Sequence, residues 1–150
     1  MMEDKEEYRT DMLGRRHFIS DVEAALVRVS ELLHGQGTRL YNYQRTAILH
    51  AFEGMDTIIS VRTNGGKTTM FEGTLVLYEL LYNGDCDSVD RRLVGSPDYH
   101  QVLVLVACPL VALMGDMVAK FMQSDAAKRL GLVAAHTAGQ LPCARSVTAH

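Results

Sequence analysis

The sequence predicts an α/β fold, a parallel sheet flanked by helices, and three observations carry this expectation. Two short apolar runs, DTIISV (Asp56–Val61) and QVLVLVA (Gln101–Ala107), have the length and β-branched content of buried strands. Segments with apolar residues at helical spacing stand before, between and after them. A glycine-rich junction, SVRTNGGKTT (Ser60–Thr69), joins the first run to the long apolar-patterned segment MFEGTLVLYELLY. Strands alternating with helices form βαβ units, which place helices on the faces of a parallel sheet.

The elements follow in order. Residues 1–18, opening MMEDKEEYRTDMLGRR, read as a flexible charged leader. A helix is expected over 19–37, with Ser20 and Glu23 of SDVE as a capping box. Val22, Ala25, Leu26, Val29, Leu32 and Leu33 form its apolar face, and Gly35 and Gly37 end it. A second helix is expected from Tyr43 to Glu53, with Ala47, Ile48, Ala51 and Phe52 on one face and Gly54 as its stop. The strand Asp56–Val61, the glycine loop and a helix from Lys67 to about Tyr82 come next. Residues 83–100 are polar and turn-rich and read as a loop. Strand Gln101–Ala107 ends in Cys108-Pro109-Leu110, and a helix is expected from about Leu110 to Leu130, with or without a break near Ser124. Leu132–His136 is a weaker strand candidate. There is no internal repeat or low-complexity tract.

Composition narrows the function classes. The chain has 150 residues, 47% of them apolar, which suits one domain with a real core. A net charge of −3 argues against coating nucleic acid by bulk charge, and leaves local contacts to a backbone open. Cys86, Cys108 and Cys143 form no C-x-x-C pair, and the six histidines form no H-E-x-x-H, so neither a disulfide framework nor a zinc site is supported. The N-terminus lacks an apolar h-region, and no apolar run approaches the roughly 20 residues that span a bilayer. An intracellular chain without a membrane partner is expected, in the nucleus if the source is eukaryotic and in the cytoplasm otherwise.

The glycine-rich junction carries the chemistry. A phosphate-binding loop lies between a buried strand and a helix, and its backbone N–H groups converge on a phosphate that glycines allow to approach. Gly65, Gly66, Lys67 and Thr68 supply the half that reads G-G-K-T. Lys67 would neutralise β- and γ-phosphate oxygens, and the Thr68 hydroxyl would ligate Mg²⁺. Val61 stands where the motif's first small residue belongs, and Asn64, which tolerates a left-handed backbone, fills a slot often taken by glycine. The alternative is an ordinary strand-to-helix turn with an exposed lysine.

Two outlying segments make a resemblance specific. Gln44 lies 23 residues before Lys67 in RLYNYQRTAI, and Pro109 lies 42 residues after it in VACPLVALMGDMVAKF. Together with the loop, these resemble the glutamine motif, P-loop and Pro-Leu motif of the first motor domain of RecQ-like superfamily 2 helicases, the DEAD/DEAH-box type. The likeness covers roughly residues 38–137 and is strongest over Pro109–Val118. It implies an incomplete P-loop NTPase (RecA-like) domain over 38–150, with ATP and Mg²⁺ as cofactors and nucleic acid, DNA rather than RNA, as partner. It implies ATP contacts from Gln44, Thr63, Asn64, Gly65, Gly66, Lys67, Thr68 and Thr69, with Lys67 catalytic and Gln44 reading the adenine edge. It also implies nucleic-acid contacts at Pro109 and Leu110, mainly through backbone, because no Arg or Lys stands between Val104 and Ala119.

Departures matter as much. Asn42 and Tyr43 precede the glutamine where the family commonly has arginine or proline, Arg62 stands where proline is frequent, and the 83–100 connection is longer than usual. No Asp-Glu-x-His motif occurs in these 150 residues, and a chain without the second motor domain is expected. The expectation is therefore a fragment of an ATP-driven 3'-5' DNA helicase that binds nucleotide but does not hydrolyse ATP or unwind alone. A degenerate, non-enzymatic motor half acting as a nucleic-acid-binding or interaction module is the alternative. A small kinase or GTPase is disfavoured, since no N-K-x-D guanine signature occurs and the Pro109 segment would have no role.

Overall fold

A computed structural model describes residues 7–62, 66–83 and 111–132. The elements are β1 (Tyr8–Thr10), β2 (Arg16–Phe18), α1 (Ile19–His34), α2 (Asn42–Phe52), α3 (Lys67–Asn83), α4 (Val111–Gln123) and α5 (Asp125–Leu130).

Residues 8–18 are not a flexible leader. β1 and β2 pair antiparallel in the register Tyr8↔Phe18, Arg9↔His17 and Thr10↔Arg16. Asp11 makes the turn: its Oδ1 accepts from the amides of Leu13 (2.9 Å) and Arg15 (3.0 Å). Such local side-chain bonding gives a polar segment a fixed shape without an apolar core of its own. The charges that suggested disorder are engaged. Arg9 pairs with Glu53, and the Arg15 and Arg16 guanidiniums lie over the rings of Tyr82 and Tyr8.

Strand β2 runs directly into α1, so the helix starts at Ile19 and Ser20 lies inside it rather than capping it. The Ile19 amide donates to Glu7 O at 3.1 Å, and Glu23, the other member of the expected box, pairs with Arg45 on α2. Val22, Leu26, Val29 and Leu32 bury their side chains at the expected spacing. In α2 the buried set is Gln44, Ala47, Ile48, Leu49 and Phe52.

Helices α1 and α2 both pack against α3, and α5 returns to α1. The close approach is at Gly73, where a Cβ would stand 2.5 Å from Ile48 Cδ1 and 3.4 Å from Val29 Cγ1. Below it, Val76, Leu77 and Tyr78 are fully buried. Ser124 interrupts the fourth helical run and caps α5, its Oγ accepting from the Ala127 amide at 3.3 Å.

Asp56–Val61 forms no strand, and Ile58 in its centre is 100% exposed. A β-branched run becomes a strand only when a neighbour supplies its ladder. The neighbour expected from sequence, Gln101–Ala107, lies outside the described residues, as does most of the candidate Leu132–His136. Among the described residues the hairpin is the only sheet. No described helix is long and apolar enough to cross a membrane.

Candidate nucleotide site

Helix α3 begins at Lys67, directly after Gly66, whose φ of +77° lies in the left-handed region that favours glycine. The first amides of a helix have no intrahelical acceptor, and they sit at the positive end of its dipole. Lys67 is exposed at that end and has no ion-pair partner among the described residues. Thr68, the expected Mg²⁺ ligand, is half-buried beside it.

Gln44 reaches this junction from α2. Its Nε2 donates to Gly66 O at 3.1 Å, and its Oε1 accepts from the Tyr41 amide at 2.9 Å. At 3% exposed it is not a solvated helix-start side chain. One N–H and one lone pair of its amide are committed to these two backbone partners. A Cβ on Gly66 would overlap Gln44 Nε2, and it would lie 3.6 Å from the Tyr43 hydroxyl. Tyr43 stacks on the exposed Tyr41, with ring centroids 5.7 Å apart at 13°.

Thr69, expected among the nucleotide contacts, is 3% exposed and turned toward the protein. Its Oγ1 lies 2.8 Å from Nε2 of His34, the last residue of α1. Burial holds the His34 pKa below its ordinary value, so the imidazole is neutral at pH 7. Sequence reasoning did not find His34, and no spacing rule connects it to a residue 35 positions away.

Thr63, Asn64 and Gly65 of the loop, and Pro109 and Leu110, lie outside the described residues. Gln44, Gly66, Lys67, Thr68 and Thr69 are the expected site residues that the structure brings together. Among the described residues no three His, Cys, Asp or Glu side chains form a metal cluster. A shallow depression lined by Tyr8, Arg9, Asp11, Ile19, Glu53 and Met55 shares no residue with this junction. The two acids in its wall are already engaged, Glu53 by Arg9 and Asp11 by the hairpin turn, which leaves it no free charge for a ligand.

Glu72 stands one turn after Thr68 on the same side of α3. Burial pushes its carboxyl up to about 7 from an ordinary 4.5. The folded state then binds the proton more tightly than the unfolded chain, so this group's stabilisation is present below about pH 4.5 and lost as pH rises through about 7. Glu72→Gln is expected to melt above the wild type at about pH 8.5 and level with it at about pH 4. Identical pH profiles for the two proteins in thermal denaturation would refute the buried placement of this carboxyl.

In comparisons with known proteins, the chain matches no protein-family model, no curated protein and no solved structure.

Proposed function

We propose that the chain binds the triphosphate of ATP, with Mg²⁺, at the start of α3, as part of the first motor domain of a RecQ-like DNA helicase. The observation that carries this reading is the hydrogen bond from Gln44 to Gly66 O, which ties the glutamine motif to the glycine loop across 22 residues.

The residues fit the ligand. Gly66 adopts a left-handed backbone suited to glycine, and the α3 amides and the exposed Lys67 ammonium offer donors and charge to anionic oxygens. Thr68 would offer its hydroxyl to Mg²⁺, which would supply positive charge against the phosphate oxygens. Gln44 would read the adenine edge, as the resemblance implies. The parallel sheet expected from sequence belongs to the same proposal, resting on Gln101–Ala107 rather than on Asp56–Val61. So does a DNA-phosphate contact at Pro109–Leu110, which the resemblance implies.

No Asp-Glu-x-His occurs in the sequence, so the proposal is of binding, and hydrolysis is not assigned to these residues. The second reading is a non-enzymatic motor half used for interaction. A melting experiment separates the two. At 100 times its Kd, ATP·Mg²⁺ stabilises by about 2.7 kcal/mol, which raises the melting temperature of a domain this size by roughly 5–10 °C. Lys67→Ala is expected to show no such rise. If ATP·Mg²⁺ leaves the wild type unshifted, the interaction module stands instead.

A further inference from the structure

The first turn of α3 is held from two sides. Gln44 on α2 grips Gly66, and His34 on α1 meets the buried hydroxyl of Thr69. One turn further on, Gly73 lets α3 settle against Ile48 of α2 and Val29 of α1. The glutamine contact belongs to a motif visible in sequence. The histidine contact does not.

We infer that His34 is a positioning residue that couples the phosphate site at the start of α3 to helix α1, and this inference rests on the nucleotide reading above. The imidazole acts through Thr69. A helix's first turn frays readily, because its amides have no intrahelical partner. Those amides serve an anion well only when they already converge. A side-chain tie at Thr69, two residues past Lys67, removes frayed states of the free protein and so lowers the ordering cost of binding. The coupling is reciprocal: an anion that orders the start of α3 also stabilises the last turn of α1 through the same hydrogen bond. Gly35 follows His34 immediately at φ +104°, so α1 has no further turn to share that constraint.

The test uses the full chain, titrated calorimetrically with ATP·Mg²⁺ and with inorganic triphosphate. His34→Ala and Thr69→Val are each expected to weaken both ligands about tenfold, and the double variant no more than either single. His34→Gln, which keeps a donor and an acceptor at that position, is expected to recover most of the affinity. In hydrogen exchange, ATP·Mg²⁺ is expected to slow the amides of residues 31–35 in the wild type and not in His34→Ala. Thr69→Val, close in shape to threonine, keeps the test decisive where His34→Ala folds poorly. Wild-type affinity in both single variants, with binding abolished by Lys67→Ala, overturns the coupling and leaves the nucleotide site standing. Losses that add in the double variant also overturn it. Absence of any binding by the wild type overturns both.

Discussion

Asp11→Ala is expected to lower the unfolding free energy by about 3–5 kcal/mol, the loss typical of removing one partner from a buried charged cluster. Asp11 is 3% exposed. Its Oδ2 accepts from His17 Nε2 at 2.8 Å and from the Tyr82 hydroxyl, while Oδ1 accepts from the Leu13 and Arg15 amides. A carboxylate only accepts, so the His17 proton is on Nε2. Removing the carboxylate leaves a buried imidazole N–H and a buried phenol without acceptors, beside Phe52 and Tyr78. The hairpin then loses its turn and its anchor on α3 together. Chemical denaturation of the two proteins measures the difference, and a change below about 1 kcal/mol, the size of a single neutral hydrogen bond, would contradict the cluster.

The same cluster sets an acid limit. Burial alone would raise the Asp11 pKa, and the hydrogen bonds from Tyr82, His17, Arg15 and Leu13 together outweigh it, holding the carboxyl below its ordinary 3.8. The folded state therefore binds this proton less tightly than the unfolded chain. Its contribution is complete above about pH 4 and is lost as pH falls through the lowered folded value. Burial acts in the same sense at Tyr78 and there it prevails: the hydroxyl is pushed up to about 12 while it donates to Phe52 O at 2.7 Å.

Gly66→Ala carries the largest expected effect on binding. Alanine at φ +77° costs about 1–2 kcal/mol in backbone strain. Its Cβ overlaps Gln44 Nε2, so the glutamine must leave, and the hydrogen bonds to Gly66 O and from the Tyr41 amide go with it. A stability loss of about 2–3 kcal/mol follows. On the proposed reading, the loop and the adenine-side amide are displaced in one step, and ATP·Mg²⁺ affinity should fall at least about 100-fold, since misplaced positioning groups cost that much. Adding Gln44→Ala to Gly66→Ala relieves the overlap and restores part of the stability, but not the strain or the affinity. Calorimetry on the three proteins checks this, and wild-type affinity in Gly66→Ala would remove the loop from the site.

Some elements were readable because their signal is local. Val22, Leu26, Val29 and Leu32 repeat at helical spacing, and α1 buries that face. The GGKTT junction before a long apolar pattern placed the start of α3 at Lys67, where the helix begins. The hairpin escaped notice for the converse reason. Tyr8–Phe18 has neither alternation nor an apolar run, and its order comes from Asp11 meeting Tyr82, 71 residues later. Ser20 looked like a cap because its spacing to Glu23 is right, but β2 runs straight into the helix, and Glu23 serves Arg45 instead. Asp56–Val61 shows the limit of composition, since an apolar, β-branched run with no pairing strand among the described residues lies exposed.

Sequence alone determined that α1, α2 and α3 are helices and that α3 starts at Lys67, because propensity, periodicity and turn chemistry act over a few residues. Tertiary structure alone decided which distant side chains meet: Gln44 with Gly66, His34 with Thr69, and Asp11 with His17 and Tyr82. Those meetings depend on how α1, α2 and the hairpin pack on α3. Packing is set by the whole apolar core at once, and no window of sequence contains it.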